Sequence, residues 1–387
     1  MRTADLQRHG YSVHALRELA RRRLPRLVFD MADGAAGDEI TMRANEKALA
    51  AIALVPKVLS GAPKRDQSVD LLGQRLPSPI IIGPTGLAGL FWPHAEIEAA
   101  RAAARFGSIY TLSHASTCSI EDVAAATRGP KWMQVFLYKD RGITADFAAR
   151  AQAAGYNGLV LTVDNQVTAG RDRDARNGMS FPVRLGLHNW LDLASRPGWL
   201  MRMARVPQPT FVNYKGHTTL DTFGPFMAEQ LDPAVTWKDV GWLRGLWQGP
   251  MILKGILHPE EARVALRVGM DAVVVSNHGG RQLDGAVASI EALPAIVDAV
   301  GGKIPVLVDG GFRRGIDVIK ALALGARAVM IGRPQLWGVA CAGEAGVAWV
   351  LELYRREIDR ALALGGWDGI ARLDRSILLG SHLTEAR

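Results

Sequence analysis

Only two cysteines, Cys118 and Cys341, occur in 387 residues, far apart and in apolar or helical surroundings. They form neither a disulfide framework nor a thiolate metal site, which predicts a reducing, cytoplasmic setting. No two histidines stand at metal-ligand spacing, so no metal is expected. The chain has no early apolar segment and no uninterrupted apolar run near ~18 residues, which argues against a signal peptide and a spanning helix. Low-complexity sequence is missing too. With 48% hydrophobic and 22% charged residues, the chain has the composition of a globular protein. No G-x-G-x-x-G follows the first strand-like run: Gly83-Pro84-Thr85-Gly86-Leu87-Ala88-Gly89 has other spacing and a proline, which disfavours a dinucleotide-binding fold. No nucleic-acid module accompanies the formal charge of +8, so nucleic acid is not an expected partner. An anionic substrate, a phosphate-bearing cofactor or an anionic membrane surface accounts for that charge.

What is present is a repeat of strand and helix. Apolar strand-like runs fall at 79–83, 109–112, 132–136, 158–163, 251–254, 272–276, 305–308 and 328–331. Between most of them, at 95–106, 120–126, 143–154, 259–268, 290–300 and 315–324, apolar residues recur at three- and four-residue spacing. Eight such units predict an α/β fold, a closed (β/α)8 TIM barrel. Two segments lie outside the pattern. Residues 1–60 read as an N-terminal helical cap, leaving 61–387 for the barrel. Residues about 172–235, rich in Pro, Gly and aromatics, form a long insertion after the fourth strand, expected to be a lid or docking excursion. Within it, 184–205 mixes Trp190, Trp199, Leu191 and Leu200 with arginines, as an interfacial segment would; a surface helix packed on the barrel or a neighbouring subunit reads equally well.

The chemistry-bearing residues stand where parallel strands end. Asn277-His278-Gly279-Gly280-Arg281-Gln282-Leu283-Asp284 follows the sixth strand directly, and the paired glycines predict a sharp turn that presents a histidine base. Lys254 closes the fifth strand. Asp309-Gly310-Gly311-Phe312-Arg313 and Gly332-Arg333 follow the seventh and eighth, the usual phosphate-binding position of this barrel class. A phosphate grip beside a fixed cation fits pyridoxal phosphate or FMN.

Residues 251–255, 275–285, 308–317 and 83–86 together resemble the FMN-dependent α-hydroxy-acid dehydrogenase and oxidase family, over nearly the whole chain. The string Ser-Asn-His-Gly-Gly-Arg-Gln-Leu-Asp is its most specific part. The resemblance implies oxidation of a 2-hydroxy acid to a 2-oxo acid with FMN as cofactor. It makes His278 the base, Asp164 the carboxylate that orients it, Arg281 and Arg171 the substrate-carboxylate clamp, and Lys254 the cation beside the flavin. Pro84, Thr85, Gly86, Ser113, Gln134, Thr162 and Ser276 fall at flavin-lining positions. Asp309, Gly311, Arg313, Gly332 and Arg333 fall at the ribityl and phosphate positions. It also implies a homotetramer or related oligomer. Gly86, where many oxidases of the family carry alanine, leans the reading toward a quinone or other organic electron acceptor over oxygen.

Departures from the family pattern bear on the substrate. Met31 and Phe136 stand where the family carries two tyrosines, and Ala32, Gly86 and Ala115 are small where glycolate-type members are often larger. A wide, apolar pocket for a bulky or aromatic, mandelate-like acid is therefore expected. The alternatives are an FMN barrel acting on a non-standard substrate, for which loss of both tyrosines argues, and a non-catalytic flavin-binding or membrane-docking scaffold; for the enzyme itself, segment 184–205 makes a peripheral position at the inner face of a membrane the alternative to a free cytoplasmic one. The remaining histidines have simpler readings: His258 and His94 at helix starts, His114 turned away from the flavin, and 9, 14, 188, 217 and 382 without partners.

Overall fold

The computed structural model describes residues 3–61, 63–179, 183–206, 210–214, 216 and 219–379; His217 and His382 lie outside them. Eight parallel strands close into a barrel: β1 (Ile80–Ile82), β2 (Tyr110–Leu112), β3 (Lys131–Val135), β4 (Gly158–Thr162), β5 (Met251–Ile256), β6 (Ala272–Val275), β7 (Val306–Val308) and β8 (Ala328–Ile331), with β8 pairing back to β1. Nearly every strand residue is buried. A strand covered by side chains inside and by helices outside has no solvated face, which is why these runs are continuously apolar rather than alternating. Helices Ala95–Phe106, Ile120–Ala126, Arg141–Ala153, Pro259–Arg267, Ser289–Val300 and Gly315–Ala323 fill the connections where the spacing predicts them.

Helices Thr3–His9, Val13–Arg23, Arg26–Asp33 and Ile40–Ala51 make up most of residues 1–60, and their apolar faces join the barrel's in one continuous buried core. Arg17 and Arg173 clamp Asp33 from two sides at 2.6 and 2.9 Å, and Arg173 also reaches Glu39 at 2.6 Å. This cluster ties the N-terminal helices to the segment after β4. A hairpin, Val69–Leu71 with Gln74–Leu76, turns at Leu72 (φ 48°) and Gly73 (φ 79°). The leucine in a left-handed position hides that turn from a reading by residue type.

The expected lid is more regular than its composition indicates. Helices Asp172–Arg176, Leu187–Ala194, Pro197–Met203 and Leu220–Gln230 occupy it, followed by the barrel helix Trp237–Leu246, where Asp239 accepts from both the N–H and the hydroxyl of Thr236. The last long helix, Arg333–Gly365, is bent at Ala342 and Gly343. Length and composition would let it cross a membrane, but 67% of its apolar window is buried inside the protein.

Candidate active site

The cavity at the carboxyl ends of the strands has a volume of about 320 Å³, within the range of small-molecule sites. β6 delivers the histidine to it. His278 (φ 58°), Gly279 (φ 64°) and Gly280 (φ 78°) are three consecutive left-handed residues, a tight turn of a kind concentrated at functional sites. A Cβ on Gly280 would lie 2.5 Å from the Met42 nitrogen, and one on Gly279 would lie 2.8 Å from Arg333 Nη1. The glycines thus let helix Ile40–Ala51 and Arg333 press against the loop. Asn45 and Asn277 exchange two amide hydrogen bonds at 2.8 and 2.9 Å, and Asp284 accepts from the Thr41 N–H at 2.8 Å. The sequence reading assigned this helix no part in the site, because its contribution is backbone contact and one asparagine.

His278 Nδ1 lies 3.1 Å from Asp164 Oδ1, leaving Nε2 as the nitrogen available to a ligand. Asp164 sits just past β4, against Gly255, whose own Cβ would come within 2.9 Å of the Asp164 side chain. There the ladder shifts register between Lys254 and Ile256. Burial pushes the Asp164 pKa up, but His278 and Lys254 outweigh it and hold the carboxyl below its usual value. Lys254 Nζ reaches Asp309 at 3.0 Å and donates to Ser276 Oγ at 2.9 Å. Burial disfavours this ammonium, yet Asp309 and Asp164 keep its pKa above the ordinary value. Ser276 also accepts from the His278 N–H; it stands behind Lys254 and His278 rather than on the cavity wall.

Arg281 and Arg171 both line the cavity. Burial and then the neighbouring Arg171 and Arg333 depress the Arg281 pKa well below the ordinary arginine value, the signature of cations crowded together without enough counter-charge. Arg281 donates to Gly34 O at 2.8 Å, and Arg171 meets Asp174 at 3.6 Å with its Nε buried and unpartnered. Asp174 is itself pushed up by burial, against the pull of both arginines. The two guanidiniums therefore face the cavity with positive charge to be met by an anion.

Pro84, Thr85, Gly86, Ser113, Gln134, Thr162, Asp309, Gly311, Arg313, Gly332 and Arg333 all line the same cavity, as do Met31, Ala32, Ala115 and Phe136. Gln134 Nε2, Thr162 Oγ1 and Asp309 Oδ1 are buried without a hydrogen-bond partner among the described residues, and buried polar atoms left this way call for a ligand. The N–H groups of Gly310, Gly311 and Gly332 likewise make no hydrogen bond among the described residues. The arginines at the expected phosphate grip differ from expectation. Arg333 donates to Ala32 O, Gly34 O and Gly279 O at 2.8 to 2.9 Å, and Arg313 pairs with Glu46 at 2.9 Å and lies over Trp337. A purpose for these guanidiniums therefore exists without a phosphate, and the free backbone N–H groups are the stronger anion-binding feature.

The similarities of the whole chain agree with this geometry. A family profile described as FMN-dependent dehydrogenase matches residues 20–379. The chain belongs to that FMN-dependent α-hydroxy-acid dehydrogenase family. This FMN-dependent dehydrogenase is 43% identical over 371 residues to an L-lactate dehydrogenase of Chromohalobacter salexigens, covering 94% of each chain. It is 44% identical over 367 residues to another of Caulobacter vibrioides, covering 94% of this chain and 96% of that one. Among solved structures, a monotopic membrane protein, (S)-mandelate dehydrogenase, superposes with a TM-score of 0.93 at 38% identity, covering 96% of this chain and 99% of that one. A soluble mutant of the membrane-associated enzyme from Pseudomonas putida gives 0.84 at 37% identity, with the same coverage. The unpartnered Gln134, Thr162 and Asp309 atoms and the free glycine N–H groups suit a flavin ring, ribityl chain and phosphate.

Two further features of the site escaped the sequence reading. His114, expected to turn away, lines the cavity: it lies beyond the end of β2, where strand alternation no longer fixes direction. The insertion supplies an apolar wall of Met179, Phe211, Phe223, Met227 and Leu231, residues with no local motif. His258 is an N-cap that accepts from the Glu260 N–H, as expected. His94 caps its helix without a side-chain bond. Among the described residues no cluster of three or more His, Cys, Asp or Glu could hold a metal.

Proposed function

We propose that this dehydrogenase oxidises a bulky, aromatic, mandelate-like 2-hydroxy acid to its 2-oxo acid, with His278 as the base. Bound FMN supplies a two-electron acceptor, held by Gln134, Thr162, Lys254, Asp309 and the glycine N–H groups. Arg171 and Arg281 hold the substrate carboxylate by the charge-assisted hydrogen bonds for which guanidinium is suited. The His278 Nε2 takes one of the substrate's two hydrogens as a proton, and the second hydrogen and the two electrons would go to the flavin when it is bound. Asp164 fixes the imidazole's orientation and stabilises its protonated form.

The observation that carries this reading is the His278–Asp164 pair at 3.1 Å on a cavity also lined by Phe136, Phe211, Phe223 and Met227. The names of its relatives divide between lactate and mandelate, and Met31 and Phe136 favour the larger acid. Without phenols at these two positions, a small acid loses hydrogen bonds worth about 1.5–3 kcal/mol each, whereas an aryl group gains an apolar wall. Anaerobic titration of the FMN-loaded protein with lactate, glycolate and mandelate tests this directly. Bleaching of the flavin at the lowest concentration of mandelate is expected; preference for lactate or glycolate would sink the substrate assignment, and bleaching by dithionite but by no acid would sink the activity.

The electron acceptor is proposed to be a membrane quinone or another organic oxidant, and the assembly a homotetramer. Leu187, Trp190, Leu191, Leu200 and Met201 all project into solvent, Trp190 at 60% and Leu191 at 65% exposure. Apolar side chains on two adjoining helices, followed by the exposed Arg205, fit the interfacial layer of an anionic membrane. The 184–205 segment is therefore proposed as a peripheral contact with the inner membrane face, which brings the dehydrogenase to its acceptor.

A further inference from the structure

His114 is a titratable group in the cavity wall that the reaction above does not use. Its ring lies 4.4 Å from that of Phe136, and 6.4 and 6.2 Å from those of Tyr138 and Tyr214, so its surroundings are aromatic. Nδ1 lies 2.7 Å from the Tyr214 hydroxyl and 3.0 Å from the Tyr138 hydroxyl, and the two hydroxyls are 2.6 Å apart. Burial keeps both phenols protonated.

Two O–H donors and one ring nitrogen are all satisfied in one arrangement: the Tyr138 hydroxyl donates to the Tyr214 oxygen, and the Tyr214 hydroxyl donates to Nδ1. A proton on Nδ1 would leave one hydroxyl with nothing to donate to. The network therefore assigns the imidazole proton to Nε2. Burial, with His278 adding to it, depresses the His114 pKa to about 3, so the ring is neutral at physiological pH. No hydrogen bond reaches Nε2 among the described residues. A neutral N–H donor is thus fixed from behind by two tyrosines, beside a wall of Phe136, Phe211, Phe223 and Met227 that offers a ligand only apolar contact.

We propose that the His114 Nε2–H recognises an oxygen on the substrate's side chain, so that the acid oxidised here is an aryl 2-hydroxy acid bearing a ring hydroxyl or ether oxygen. The carboxylate and the 2-hydroxyl already have Arg171, Arg281 and His278; the Nε2–H, set among aromatic rings, has a different part of the molecule to meet. A hydrophobic pocket barely distinguishes substrates that differ by one hydroxyl, whereas a site built to hydrogen-bond that hydroxyl does so strongly, because the unmet donor penalises the plain substrate. His114 is on this account a specificity-determining residue, and the inference rests on the reading of the preceding subsection.

The test compares mandelate with its 3- and 4-hydroxy derivatives as reductants of the FMN-loaded protein, in the wild type and in His114→Phe. The wild type is expected to favour the better hydroxylated acid by tenfold or more in kcat/KM. His114→Phe is expected to bring the ratio to about one while retaining reduction by mandelate. Equal losses on all three acids, or no preference in the wild type, would overturn the proposal. A binding measurement on the wild type guards against a variant that fails to load flavin: the corresponding 2-oxo acids should perturb the flavin spectrum with a Kd at least tenfold lower for the ring-hydroxylated compound, and equal Kd values would overturn it. Should no 2-hydroxy acid bleach the flavin, the dehydrogenase reading falls; should mandelate bleach it with no gain from a ring oxygen, only this inference falls.

Discussion

His278 combines three conditions that single residues rarely meet together: a left-handed backbone, a carboxylate on one ring nitrogen and an open cavity on the other. Replacing it with glutamine should keep FMN content and lower the rate of flavin reduction by the acid by about 10²- to 10⁴-fold, the range of general acid–base catalysis; stopped-flow absorbance measures this, and a loss below tenfold would deny it the role of base. The Met31→Tyr, Phe136→Tyr double variant reverses the two departures from the family pattern. Each restored phenol is worth about 1.5–3 kcal/mol to a bound carboxylate, equivalent to roughly 10- to 150-fold in affinity. The KM for lactate should fall accordingly, with a smaller gain for mandelate. His278, Lys254 and the arginines were legible in the sequence because each follows a strand of recognisable composition. His114 was not, because its direction depends on Tyr138 and on Tyr214, which lies 100 residues further along.

The eight strands were legible for a similar reason, since burial on both faces writes an uninterrupted apolar run into each. The helices of the insertion were not. Leu220–Gln230 carries Pro225 in its interior, and Pro197–Met203 has no fully buried residue, so neither prints a clear apolar periodicity on the sequence. Helices Leu187–Ala194 and Pro197–Met203 carry the exposed Trp190, Leu191 and Met201. Changing the three to serine should abolish co-sedimentation with vesicles containing anionic lipid and leave reduction of a soluble acceptor within twofold of wild type, since none of the three lines the cavity. Unchanged sedimentation would mean that these side chains do not dock on lipid.

Over the whole molecule, the N-terminal helices, the insertion and the barrel are joined by charge as well as by a shared core. Burial alone would raise the Asp33 pKa, but Arg17 and Arg173 outweigh it and leave it below its ordinary value of 3.8. A depressed folded-state pKa contributes stability that is present above the unfolded value and is lost as the pH falls through the folded one. Asp33→Asn should therefore lower stability at neutral pH by roughly 1.5–3 kcal/mol and flatten the acid limb of the wild-type profile below about pH 4. Thermal midpoints across that range check both, and an unchanged acid limb would show that Asp33 is not responsible.

Arg333 grips the carbonyls of Ala32 and Gly34, which stand 301 and 299 positions earlier in the chain. Because translation runs from the amino end, the first helices must wait for the last quarter of the chain before the mouth of the barrel can be fastened. Nascent polypeptides halted ahead of β8 should thus emerge colourless, and the yellow of bound flavin should appear only once this clasp has left the ribosome.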